Sequence, residues 1–187
     1  MQDPEGLVAA MGGREAFGAR LASLFSADSA KRSAEGTFTG DVTGLIGQYA
    51  HGNEPSHHTA YFFRWSDRPR MTDETVRRIF DTQYAPRPNG LCGNDDCGQM
   101  AAWSVFSALG FYPFDPCGGE YVVGAPQVPG AVVSLPGGRE FRVVAKNLSK
   151  RNRYVKSVTL NGRPVEGWKI RHADIMSGGE LGFEMGE

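Results

Sequence analysis

Residues 90–114 read GLCGNDDCGQMAAWSVFSALGFYPF, and this stretch separates a helical first part of the chain from a stranded second part. Within it, Met100, Trp103, Val105, Phe106 and Leu109 predict a mostly buried helix that Gly110 stops. Asn89 to Asn94 ahead of it read as loop, and Pro86 and Pro88 end an earlier helix. Beyond residue 120 the pattern changes to short β-branched runs: Tyr121-Val122-Val123, Ala131-Val132-Val133, Phe141 to Val144 and Val155 to Leu160. Asn161-Gly162 predicts a type I′ hairpin turn, and Leu181 to Met185 a last strand. Helices first and strands afterwards predict an α+β fold with segregated halves rather than a parallel βαβ sheet.

Working back towards the N-terminus, Asp3-Pro4 pairs a preferred N-cap with a residue favoured at the first helical position. Leu7, Val8 and Met11 form one apolar stripe, and Phe17, Leu21, Leu24 and Phe25 form another, with Gly12-Gly13 as the joint between two helices. Ser26 to Asp41 is polar, small and without period, which predicts loop. Val42 to Tyr49 and Thr59 to Trp65 each read as a short helix, and Pro55 prevents one helix from crossing the join. Thr72 is the predicted N-cap of a helix through Val76, Ile79, Phe80 and Tyr84, with Asp73 and Glu74 in its first turn.

The 187 residues allow one good core, or a helical part and a β part that share an interface. Lys and Arg number 20 against 21 Asp and Glu, so the net charge of −1 offers no basic field for nucleic acid and no polybasic membrane anchor. No apolar run is long enough to span a bilayer, and the N-terminus lacks the basic and apolar regions of a signal peptide. Cys92, Cys97 and Cys117 lack the C-x-x-C spacing of a zinc site; one disulfide plus a thiol and three thiols are both open.

Two segments gather polar groups beside backbone breakers: Gly52-Asn53-Glu54-Pro55-Ser56-His57-His58 and Gly93-Asn94-Asp95-Asp96-Cys97-Gly98-Gln99. Asn and Glu side chains in such loops suit a hard cation such as Ca²⁺. The histidines could hydrogen-bond sugar hydroxyls. Asp95 and Asp96 are adjacent carboxylates, whose repulsion can leave one group fit for base work. A structural account stands beside each. Asp96 with Gln99 resembles a capping box ahead of the helix, and a Glu before Pro often just starts a helix. His57 and His58 point about 100° apart on a helix, so one at most faces a given site. Trp103 and Phe106 read as core rather than a sugar platform.

The strings HGNEPSHH at 51–58 and GLCGNDDCGQMAAWSVFSALGFYPF at 90–114 resemble the signature segments of the family 92 α-mannosidases, in the same order and at a similar interval. GLVAAMGGREAF at 6–17, VTGLIGQYAHGNE at 42–54, SVTLNGRP at 157–164 and HADIMSGGEL at 172–181 extend the likeness over nearly the whole chain. Family members are Ca²⁺-dependent, inverting exo-α-mannosidases with an N-terminal β-sandwich and an (α/α)6 barrel. The resemblance implies that residues 1–118 are the C-terminal helices of that barrel and 119–187 a small antiparallel β region packed on its outside. It implies Asp96 as the general base with Asp95 as its helper. It places Glu54 and Asn53 by the Ca²⁺, and Asn53, His57 and His58 along the sugar pocket. The substrate would be an α-mannoside of an N-glycan or mannan.

The family's general acid is a Glu in a segment resembling E-G-N-x-W-Q-Y, which lies shortly before the stretch matching Gln2-Asp3 and does not occur here. The expectation is an enzyme fragment with little or no turnover by itself; the alternative is a mannose-binding or purely structural module without turnover. Barrel faces left uncovered would favour self-association. The family's members are commonly periplasmic or secreted, and that location is expected here.

Overall fold

The computed structural model describes residues 2–28 and 42–187, and the part of the predicted loop at 29–41 lies outside them. Helices α1 (Pro4–Ala10) and α2 (Arg14–Ser26) meet at Gly12-Gly13 as the sequence predicts. Asp3 caps the first helix, its Oδ1 accepting the Gly6 N–H at 2.8 Å. The short helix predicted over Val42 to Tyr49 is instead a tight hairpin of β1 (Leu45–Ile46) and β2 (Tyr49–Ala50). Its turn holds Gly47 at φ 64°, where any Cβ would run into the backbone of Phe25, so the chain reverses under α2 rather than winding on. Thr59–Trp65 forms a 3-10 helix that is buried from Ala60 onwards.

Helix α3 (Met71–Gln83) begins two residues earlier than predicted, with Arg70 at the N-cap and Thr72 inside. Thr72 does not cap: its Oγ1 is buried without a hydrogen bond. Asp73 stands in the first turn as predicted, but it is fully buried because it has another use. It accepts from Arg64 Nη2 through one oxygen and from the Val155 N–H through the other, at 3.0 Å. Helix α4 (Gln99–Leu109) follows, and Gly110 ends it in the left-handed conformation.

The strands begin earlier than residue 120. Strand β3 (Phe111–Asp115) pairs with β4 (Glu120–Val123), which pairs with β9 (Lys169–Arg171), so this hairpin straddles residue 118. Pro113 in the run hid β3 from a sequence reading, and the ladder tolerates it where the register slips between Tyr112 and Asp115. The larger sheet has the order β5 (Gly130–Ser134), β6 (Glu140–Lys146), β10 (Gly179–Gly186), β7 (Tyr154–Leu160), β8 (Arg163–Pro164). Asn161 and Gly162 turn β7 into β8 with φ 51° and 78°, the type I′ signature. The β region is not wholly antiparallel, because β10 inserts between β6 and β7 and runs parallel to β6. The long excursion through β7, β8, β9 and the helix α5 (His172–Ser177) supplies the crossover that a parallel pair needs.

Two hydrophobic cores result. Val8, Phe17, Phe25, Phe63, Ile79 and Trp103 belong to the first; Phe111, Phe141, Val143, Leu181 and Phe183 belong to the second. Alternation along β3 and β4 feeds both: Tyr112, Phe114 and Val122 enter the first core, and Phe111 and Val123 the second. Arg64 ties the two together. Besides Asp73, it donates to the Val123 and Pro69 carbonyls, and its guanidinium lies 3.9 Å from the centre of the Trp168 ring.

Candidate active site

The two polar segments meet backbone to backbone. A Cβ on Gly93 would lie 2.7 Å from the Gly52 Cα, so this contact requires glycine at 93, while a Cβ on Gly52 would run into the Thr43 hydroxyl instead. Below it, Trp103 of α4 donates its indole N–H to the His57 carbonyl at 3.1 Å, and the His51 and His57 rings stack at 4.8 Å.

Proton positions in this layer follow from the hydrogen bonds. Tyr84 donates to the Met100 carbonyl at 3.0 Å, so its oxygen accepts from His51 Nε2 at 2.7 Å. His51 Nδ1 is then unprotonated and accepts from the Tyr49 hydroxyl, also at 2.7 Å. Burial first, and the neighbouring His57 second, push the His51 pKa from 6.5 down to about 3, in keeping with a neutral ring. His57 Nε2 donates to the His51 carbonyl at 2.9 Å, which leaves its Nδ1 as an acceptor for the Gln99 amide at 3.2 Å.

Above this layer opens a cleft of about 520 Å³. Glu54, His58, Asp96 and Gln99 supply its polar groups, and Pro55, Trp103, Phe106, Tyr112, Pro113 and Pro116 its apolar walls. A few convergent polar groups on an apolar wall are what a small-molecule site looks like. Glu54 Oε1 is buried with no hydrogen-bond partner, so it has an unmet demand for a donor or a cation. Burial lowers the His58 pKa from 6.5 to about 4; the neutral imidazole both donates and accepts, as a hydroxyl does.

The adjacent carboxylates are given different work. Asp95 Oδ1 accepts the Ala101 N–H at 2.8 Å, satisfying a free donor in the first turn of α4. The cap anticipated for Asp96 is thus supplied by its neighbour. Asp96 adopts φ 40°, a left-handed conformation tolerated by Asp, and lies on the cleft. Of the polar residues singled out in the sequence, Glu54, His58 and Asp96 share the cleft, and Trp103 and Phe106, read as core, also form part of its wall. His57 lies beneath it at 1% exposure, and Asn53 is half-buried at the entry of the 3-10 turn Glu54–Ser56, outside the cleft lining. Gln99 and Tyr112 were not foreseen as cleft residues. The available signal was the position of Gln99 in the first turn of a helix that directly follows the acidic loop.

Among the described residues, no group of three or more His, Cys, Asp and Glu side chains is placed to hold a metal ion. Ca²⁺ takes about six to eight oxygens. Glu54 has a free oxygen to give, but the described residues do not by themselves fit a calcium centre. Cys92, Cys97 and Cys117 are all free thiols.

The sequence matches the glycosyl hydrolase family 92 catalytic domain over residues 1–187. The chain belongs to glycoside hydrolase family 92. It superposes on a family 92 alpha-mannosidase of Bacteroides thetaiotaomicron with a TM-score of 0.81 and 36% identity, covering 93% of this chain and 22% of that one. A family 92 inverting mannosidase of the same organism matches with a TM-score of 0.81 and 34% identity, over 98% of this chain and 26% of that one. An uncharacterized secreted glycosidase of Arthroderma benhamiae is 27% identical over 139 residues, which is 73% of this chain and 18% of that protein. The family 92 chain described here therefore spans about a quarter or less of the length of these relatives. No helix among its described residues is long and apolar enough to cross a membrane.

Proposed function

We propose that the chain forms the general-base side of the mannoside cleft of a Ca²⁺-assisted, inverting exo-α-mannosidase. The observation that carries this reading is the convergence of Glu54 and Asp96, from two separate segments, on one cleft in a chain of this family. Asp96 would take the proton from the attacking water, Asp95 would hold the start of α4 and so the Asp96 backbone, and His58 would meet a sugar hydroxyl. An inverting glycosidase needs two carboxyl groups about 6.5–9.5 Å apart, one as acid and one as base. No segment resembling E-G-N-x-W-Q-Y occurs in these 187 residues, so the proton donor would come from a part of the enzyme outside them. A Ca²⁺ ion held at the cleft would supply Lewis-acid chemistry. Glu54 is this chain's contribution to holding it, with the other donors supplied from elsewhere.

In this reading the helices within residues 1–118 close the helical barrel, and the β region against it starts at β3, ahead of the predicted boundary. The mature enzyme is secreted or periplasmic, as the word secreted in the name of one relative supports. Leu7 of α1 and Met11 at its C-cap are 41% and 38% exposed and would be among the apolar contacts of self-association.

The same reading makes the isolated chain a binder rather than a catalyst. Calorimetry with mannoimidazole, a compound found bound to the Bacteroides mannosidase in one of its structures, tests binding. An aryl α-mannoside with Ca²⁺ tests turnover. Binding without product is expected; product at an ordinary enzymatic rate would overturn the assignment of the acid to another segment.

A further inference from the structure

Gln99 has two amide hydrogens, and both are committed on the inner side of the cleft. Its Nε2 lies 3.2 Å from His57 Nδ1 and 3.2 Å from the Tyr112 hydroxyl oxygen. The orientation of the amide is fixed by the layer below. His57 Nε2 donates to the His51 carbonyl, so its Nδ1 has only a lone pair to offer and must face the NH₂ group, not the oxygen. Gln99 Oε1 is thereby turned to the cleft, where Gln99 is a lining residue. The Tyr112 oxygen, having accepted from Gln99, keeps its own proton for donation, and burial raises its pKa and so favours the protonated form. Its ring cannot swing away, being stacked on Tyr61 at 5.1 Å with the Tyr61 hydroxyl held by Ser107.

We propose that Gln99 Oε1 and the Tyr112 hydroxyl form an acceptor and donor pair that reads hydroxyls of the sugar in the cleft, with His57 as the positioning residue that fixes the amide. An acceptor beside a donor matches a single hydroxyl, or two vicinal ones, and does not match a carboxylate or an ammonium group. The proposal rests on the mannoside reading and assigns two further groups to the same cleft.

Calorimetric titration with methyl α-mannoside and its 2-, 3-, 4- and 6-deoxy derivatives tests the pair. The unaltered chain should bind at least one deoxy derivative about five- to tenfold more weakly than the parent sugar. Tyr112→Phe and Gln99→Leu should bind the parent as weakly as that derivative and no longer tell the two apart. Equal weakening towards every sugar would make both residues merely structural and overturn the pair. Nitrogen NMR of His57 gives a readout that needs no ligand: the Nε2–H tautomer is expected, and the Nδ1–H tautomer would turn the amide round and overturn the proposal. If His57 shows the expected tautomer but none of the sugars binds, the mannoside reading itself falls, and the ligand assigned to the pair falls with it.

Discussion

Trp103 donates its indole N–H to the carbonyl of His57 at 3.1 Å, and the two residues are 0% and 1% exposed. This bond joins the helix behind the acidic loop to the turn that carries Glu54 and His58. Trp103→Phe leaves a buried carbonyl unpaired and a gap beside His51, whose ring lies 4.5 Å away. The expected cost is about 2–4 kcal/mol in urea denaturation. A loss under about 1 kcal/mol would mean that the two segments do not depend on this contact.

The two carboxylates should separate in a stability assay. Asp95→Ala removes the acceptor of the Ala101 N–H and should cost about 1 kcal/mol. Asp96→Asn keeps a residue that tolerates φ 40° and should stay within about 0.5 kcal/mol, while turnover of the enzyme containing it falls. The reverse ranking, with Asp96→Asn the costlier change, would show Asp96 to be a structural cap.

Stability should fall on acidification. The His51 pKa drops from 6.5 to about 3 on folding, so the unfolded chain binds more protons between those values and stability declines as pH falls through that window. At pH 5 His51 alone accounts for about 2 kcal/mol relative to pH 7. His57 and His58, lowered likewise by burial, act in the same direction. Urea midpoints at pH 7, 6 and 5 measure this, and a flat series would contradict a neutral, buried His51.

Arg64 and Asp73 form a buried ion pair, with side chains 2% and 0% exposed, that also joins the helical core to strands β4 and β7. Burial works against both charges, and Arg64 with the Val155 N–H holds the Asp73 carboxylate. Asp73→Ala strands the guanidinium and should cost about 3–5 kcal/mol, and Arg64→Met in the same chain should recover part of it. Independent, additive losses in calorimetric melts would exclude coupling between the two residues.

Glu54→Gln should hold or raise the melting temperature of the unliganded chain, because it replaces a buried, unpaired carboxylate oxygen. Mannoside binding should weaken in the same variant. Clear destabilisation without a change in binding would assign Glu54 to the fold.

The sequence shows the helix of residues 99–109 and its stop, the joint at Gly12-Gly13 and the Asn161-Gly162 hairpin, because each is written in a period or a turn residue. It hides β3 behind Pro113, and it makes β1 and β2 look helical because Leu45, Ile46 and Tyr49 fit helical spacing as well as a hairpin. The parallel placement of β10 against β6 is equally invisible, since strand order depends on which edge is open when the chain returns.

For the site, the residue types and their grouping in two segments marked Glu54, His58 and Asp96, with their neighbours, as candidates. Only the tertiary structure decided which side chains reach the cleft. Asp95 turned to the helix and His57 went beneath the floor, while Gln99 and Tyr112 joined the lining. Neighbouring side chains along a turn diverge, and where each ends is set by the donors and acceptors that folding brings within about 3 Å.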